Sequence, residues 1–360
     1  MSAEDSALTE VAGITQPPSL NRSFVPKPRP KRRSAEEMVG LIRSGDRAAL
    51  SQAITLIEST RPEDGELARA IVDGCTPHSG NSLRVGITGV PGVGKSTFIE
   101  ALGRLLVEQE GHRIAVLAID PSSQLTGGSI LGDKSRMTVL AANPNAFVRP
   151  SPSRGSLGGV TRRTREAMLL CEAAGYDVLL VETVGVGQSE SAVHSMVDCF
   201  LLLMLAGAGD ELQGIKRGIM EMADVLAITK VDGDNINRAK IAQRNTQNAL
   251  HFFPPDASGW LPPVLLCSSV TGEGIANVWR EIRRYQSEMQ QKGLFEARRA
   301  KQAVDWLRSS VETTVMERFY RDEVVQQTLA RLEAQVRAGS VSPHRAAEIL
   351  VAAYDGRAKQ

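Results

Sequence analysis

The sequence predicts an α/β fold, a mostly parallel sheet with helices on both faces, carrying a helical extension at one end and a helical arm at the other. Three observations predict it. From residue 83 onward, short apolar runs alternate with patterns of three- and four-residue spacing. Those runs are rich in Val, Ile and Leu without clean alternation, as strands buried on both faces are. Residues 83 to 103, LRVGITGVPGVGKSTFIEALG, read as a buried strand, a glycine-rich turn and the start of a helix.

That stretch is a phosphate site. Gly89, Gly94, Lys95 and Ser96 fit G-x-x-x-x-G-K-[ST], with Leu83, Val85 and Ile87 before the turn and Phe98, Ile99, Leu102 and Leu105 after it. Glycines let several backbone N–H groups point at one anion, and the helix N-terminus adds partial positive charge. Lys95 can then reach the β/γ-phosphates, and the Ser96 hydroxyl can ligate Mg2+.

Composition narrows the setting. The 360 residues can hold one large α/β domain with helical additions, or two domains. Because 42 basic side chains nearly balance 41 acidic ones, no global field recruits nucleic acid or a membrane. Cys75, Cys171, Cys199 and Cys267 are isolated in or beside apolar runs, which predicts buried reduced thiols. No 18-residue apolar span and no secretory h-region is present, so a soluble, cytoplasmic protein is expected.

In chain order, residues 1–33 carry five prolines and end in KPRPKRR, a disordered, basic arm. Lys27 to Arg33 could touch an acidic partner, although a solvated tail is the simpler reading, and Glu4, Asp5 and Glu10 count against a mitochondrial address. Residues 34–80 form a helical extension. Ser34 and Glu37 can make a capping box, Asp46 can cap a second helix, and Pro62 sits where a third would start. The central domain, 81–292, has strands at 83–88, 114–119, 146–149, 177–182, 198–205, 224–229 and 263–267.

Ligands in such sheets sit beyond the carboxyl ends of the strands, so the polar residues there carry the chemistry. The second strand ends at Asp120 and runs through a glycine-rich loop to Asp133. Both are candidates to hold Mg2+ through water or to orient an attacking water; an Asx turn at Asp120 and a solvated Asp133 are the structural alternatives. Glu182 closes another strand, where an acid can hold Mg2+ through water, and Gln188 beyond it could position a water or simply bond its own loop. In Thr229-Lys230-Val231-Asp232, Asp232 can accept both the ring N–H and the exocyclic amine of guanine while the Lys230 stem packs on the base. Thr229 stands where Asn is usual and offers a hydroxyl in place of an amide. Ser268, Ser269 and Val270 follow the last strand, where backbone N–H groups can meet the guanine oxygen. Residues 206 to 218, AGAGDELQGIKRG, make a second glycine-rich charged loop, either a further switch or a solvated loop with Lys216 and Arg217 at a helix start.

Taken together, GVPGVGKST, DPSS, GGSILGDK, ETVGVGQSE, AGAGDELQGIKRGIME and TKVDG resemble the GTPases of the methylmalonyl-CoA mutase-associated family, MeaB in bacteria and the MMAA type in mitochondria, over about residues 34–355. The resemblance implies a P-loop NTPase sheet and a homodimeric GTPase that binds GTP and GDP. It further implies a chaperone for an adenosylcobalamin-dependent acyl-CoA mutase of the methylmalonyl-CoA type, gating cofactor loading and protecting the mutase. By the same resemblance Gly89, Val90, Pro91, Gly92, Val93, Gly94, Lys95, Ser96 and Thr97 bind phosphates, Ser96, Asp120, Asp133 and Glu182 surround Mg2+, and Asp232 reads guanine. Residues 207–218 match a third switch that contacts the mutase, with Lys216 as a catalytic candidate. Older naming ties the family to a transport-related kinase. Two other classes compete with this reading: a kinase, for which no further Asp or His pair supplies a general base, and a metal-insertion GTPase, for which no His-rich tract or C-x-x-C is present.

Residues 275–291 predict an amphipathic helix, and 293–360 a helical dimerisation region. Helix continues from 296 to 336, with Val304, Leu307, Val311, Val315 and Phe319 recurring at helical spacing, then Val325, Leu329, Leu332 and Val336. Ser342 and Pro343 start a last helix. A stripe this long cannot be buried against itself alone, which points to a dimer, with packing inside the chain as the alternative.

Overall fold

The computed structural model describes residues 32–119, 137–149, 157–183, 189–206, 217–253 and 258–357. Helices α1 (Ala35–Arg43), α2 (Arg47–Glu58) and α3 (Pro62–Cys75) come first. Asp46 starts α2: its carboxylate accepts from the N–H groups of Ala48 and Ala49 at 2.8 and 3.0 Å, satisfying two of the donors a helix start leaves open. Pro62 opens α3, where a missing N–H is harmless.

The sheet begins with β1 (Leu83–Gly89), which leads into α4 (Lys95–Glu108) and β2 (Ile114–Ile119). Then come α5 (Thr138–Ala142), β3 (Ala146–Arg149), α6 (Leu157–Ala173), β4 (Val178–Thr183), α7 (Ser189–His194) and β5 (Cys199–Leu205). Beyond them lie α8 (Arg217–Met222), β6 (Val225–Thr229), α9 (Ile236–Leu250), β7 (Val264–Leu266) and α10 (Ile275–Gln291). Among the described residues the seven strands pair in parallel throughout, in the order β3-β2-β4-β1-β5-β6-β7.

Both faces of the sheet are apolar, which is why its strands show no alternation. Val85, Ile87, Leu180 and Leu201 pack with Phe98 and Leu102 of α4 and Val278 and Ile282 of α10. The intervening residues Leu117, Leu179, Val181 and Phe200 pack with Met38, Leu50 and Ile71 of the first three helices and Met168 of α6. The four cysteines are buried free thiols, and burial pushes Cys75 up to about 11 and Cys267 to about 12, away from reactive thiolate.

Beyond α10 the chain continues as α11 (Leu294–Arg321), α12 (Glu323–Arg337) and α13 (Pro343–Arg357). The expectation of unbroken helix from 296 to 336 is corrected at Asp322, whose extended backbone ends α11 and whose carboxylate accepts from Val324 and Val325 N–H to start α12. The second stripe also finds cover within the chain: Val325, Leu329, Leu332 and Val336 pack with Ala346, Ile349 and Leu350 of α13. The first does not. Val304, Leu307, Val311 and Val315 are 47, 65, 52 and 53% exposed.

The root of α11 is fixed to the amino ends of the strands. Arg299 grips Asp198, just before β5, with bonds of 2.7 and 2.6 Å, and also donates to the carbonyls of Gly80 and Ser82. Arg298 reaches Asp224, just before β6, at 3.3 Å, Tyr285 Oη at 2.8 Å and His194 Nε2 at 3.1 Å. Arg84 makes a two-point contact with Glu172, whose carboxyl this guanidinium holds below its usual range against the opposing effect of burial.

Candidate functional site

Parallel pairing sends every strand's carboxyl end to one edge, and β1 lies at the centre of it. Gly89 ends β1 at φ 153°, where a side chain would collide with the Leu203 carbonyl of β5. Gly94, at φ 95°, turns the chain in the left-handed region into α4, so the first N–H groups of that helix open onto the loop. Lys95 is 9% exposed, and its ammonium donates to the carbonyl of Gly89 at 2.8 Å and lies 3.4 Å from that of Val90. Around it the tip residues Pro91 and Gly92, and Thr97 on α4, are exposed.

Glu182 comes to the same place from β4. Ser96 Oγ donates to Glu182 Oε1 at 3.1 Å, both side chains buried, and one residue on, Thr183 donates to the Thr88 hydroxyl of β1 at 2.8 Å. A hydroxyl and a carboxylate oxygen this close are hard oxygen donors of the kind Mg2+ takes alongside phosphate oxygens. The residues present therefore fit the ion.

The end of β6 reaches back to the loop. Thr229 is buried, and its hydroxyl donates to the Val93 carbonyl at 2.8 Å, with the Met204 carbonyl at 3.3 Å. The smaller hydroxyl in place of an amide is therefore a tie to the phosphate loop rather than a group offered to a ligand. Lys230 sits at φ 58°, the one non-glycine in the left-handed region among the described residues, held by Asn235 Nδ2 on its carbonyl at 2.8 Å and by Val231 N–H on the Cys267 carbonyl at 3.2 Å. Its Cε lies 4.0 Å from where a Gly94 side chain would begin, so the lysine stem runs along the loop.

Asp232 is oriented by Ser268, which donates to Oδ2 at 2.5 Å and accepts from Thr271 N–H at 3.2 Å. The expectation for the Ser268 backbone is corrected here: its N–H donates to the Glu273 carbonyl at 2.9 Å, so what it offers this site is its side chain. Asp120, Asp133, Gln188 and Lys216 lie outside the described residues, as do the loops that carry them.

The structure thus brings together Lys95, Ser96 and Glu182, and separately Asp232 and Ser268, with Thr229 between. Sequence reasoning missed the Thr229 tie and the Ser268 side chain. A signal for the first was present: Thr229 is the polar residue that closes the apolar run VLAIT, and a buried hydroxyl there needs a partner.

A family model described as methylmalonyl Co-A mutase-associated GTPase MeaB matches residues 50–324. The chain belongs to this family of GTPases. Relatives of this MeaB-family chain include a probable GTPase of Mycobacterium tuberculosis, 53% identical over 85% of this chain and 91% of the relative, and GTPase ArgK of Escherichia coli, 48% identical over 85% and 92%. The mouse protein named methylmalonic aciduria type A homolog, mitochondrial, is 46% identical over 88% of this chain and 79% of its own length. Among solved structures, one described as LAO/AO transport system kinase matches with a TM-score of 0.68 at 40% identity, covering 88% of this MeaB-family chain and 96% of that one.

Proposed function

We propose that this MeaB-family GTPase is Mg2+-dependent and works as a homodimeric, cytoplasmic chaperone of an adenosylcobalamin-dependent acyl-CoA mutase of the methylmalonyl-CoA type, gating cofactor loading and protecting the mutase. The observation that carries the nucleotide part is the Ser96–Glu182 pair beside Lys95. The backbone of residues 89 to 97 wraps the phosphates, Lys95 neutralises their charge, and Asp232, set by Ser268, reads the base. Ser96 and Glu182, with Asp120 and Asp133, hold the Mg2+, which when bound neutralises charge on the β- and γ-phosphates. Asp120 or Gln188 orients the attacking water, and Lys216 assists from the second glycine-rich loop.

The mutase enters through the family description and the name of the mouse relative. The dimer is supported by the exposed row Val304, Leu307, Val311 and Val315 on α11, in a region 293–360 that we assign to dimerisation. Residues 34–80 are its helical extension and 81–292 its GTPase domain in this reading.

The test is GTP hydrolysis with and without the cognate mutase. Slow basal turnover that rises when the mutase is added is expected; an unchanged rate would sink the chaperone reading while leaving the GTPase intact. A second reading, favoured only by the name that the similar solved structure carries, is a kinase. Labelled γ-phosphate recovered on an acceptor rather than as inorganic phosphate would support it.

A further inference from the structure

We infer that this site leaves the purine N7 unread and takes its choice of base from the Asp232 edge of guanine, because Thr229 is a positioning residue for the phosphate loop. The inference rests on the proposed guanine reading at Asp232.

N7 is an acceptor, so only a donor can recognise it. The hydroxyl of Thr229 carries a single proton, and that proton is directed at the Val93 carbonyl at 2.8 Å, with Met204 O as the next acceptor. An asparagine amide has two N–H groups and could hold the loop with one and meet N7 with the other; a threonine cannot do both. Neighbouring donors are engaged too. Val231 N–H binds the Cys267 carbonyl, and the Asn235 amide binds the Lys230 carbonyl. Lys230 runs along the loop beside Gly94, which suits it to the face of the base, whereas the N7 lone pair lies in the ring plane.

The tie has its own consequence. Val93 is fully buried within the loop, so its carbonyl loses its partner if the hydroxyl is removed, and the loop is then held less well around any phosphate. Thr229 thus sets affinity for the diphosphate, while Asp232 sets the choice of base.

The experiment is a set of calorimetric titrations of GDP, 7-deaza-GDP and ADP into the full chain and into Thr229→Ser, Thr229→Val and Thr229→Asn, each checked for an unchanged melting temperature. In the parent, 7-deaza-GDP is expected to bind within about twofold of GDP. Thr229→Val is expected to weaken both equally, about tenfold, and Thr229→Ser to restore both. Thr229→Asn is expected to introduce a preference of about tenfold for GDP over 7-deaza-GDP. A tenfold loss for 7-deaza-GDP in the parent, with GDP still preferred over ADP, overturns the inference alone, as does wild-type affinity in Thr229→Val. Equal binding of GDP and ADP overturns the guanine reading beneath it. Because the parent titration needs no substitution, misfolding of a variant leaves the central comparison standing.

Discussion

Ser96 and Glu182 are 86 positions apart in the chain, yet the serine hydroxyl donates to the glutamate at 3.1 Å. The contact joins the first turn of α4 to the end of β4, two elements that the parallel sheet places side by side. Removing the charge, Glu182→Gln, is expected to raise the Mg2+ concentration for half-maximal GTP hydrolysis about 10- to 100-fold, as loss of a ligand-orienting group typically does. A Mg2+ titration of hydrolysis checks it, and an unmoved midpoint assigns Glu182 to the turn rather than to the ion.

Asp232 and Ser268 form the second pair. In Asp232→Asn one accepting position becomes a donor, so GTP affinity is expected to fall by about 100-fold, while XTP, which carries a carbonyl in place of the amine, gains. Ser268→Ala leaves the carboxylate in place but unoriented, with an expected loss of about tenfold. Competition binding with GTP and XTP separates the two, and parallel losses of both nucleotides in Asp232→Asn would argue for general disruption.

The open stripe of α11 predicts assembly. Leu307→Asp combined with Val311→Asp places two charges in the row whose members are about half exposed or more. Sedimentation equilibrium is expected to show a dimer for the parent and a monomer for the variant, with far-ultraviolet dichroism unchanged. A parent that sediments as a monomer removes the assigned role of the arm.

Acid stability is predicted from His194. Burial, reinforced by the Arg298 guanidinium, pushes its imidazole down from 6.5 to about 4. Arg298 donates to Nε2, a contact that only the neutral ring can accept. Between pH 6.5 and 4 the unfolded chain takes up a proton that the folded chain refuses. Stability is therefore full above pH 6.5 and falls as pH drops through this window, by up to about 3 kcal/mol from this group. Urea unfolding at stepped pH is expected to show a shallower slope in His194→Gln, whose amide oxygen can still accept from Arg298.

Much of this molecule can be read from its chain, and the parts that cannot share a cause. The strand at 114–119 and the helix at 275–291 stand where they are expected, because local periodicity and the glycines at their borders define them. The phosphate loop and Asp232 are legible for the same reason, since each is a short contiguous motif. Asp322 is not, because a polar residue between two helical stripes looks like one more exposed position until its carboxylate turns to cap the second. Thr229 and Ser268 act on Val93 and Asp232, 136 and 36 positions away, and nothing local says which partners they find. The arginine contacts under the sheet are equally remote pairings, and composition shows them only as charge.

Those contacts have a genetic consequence. Arg298 and Arg299 hold Asp224 and Asp198 at the amino edge of the sheet, while Lys95, Glu182 and Asp232 stand at the carboxyl edge. Lesions in this chain are therefore expected to sort into two phenotypic classes. Damage at the amino edge is expected to lower the amount of folded protein while surviving copies still turn over nucleotide, and damage at the carboxyl edge to leave folded protein abundant but chemically silent.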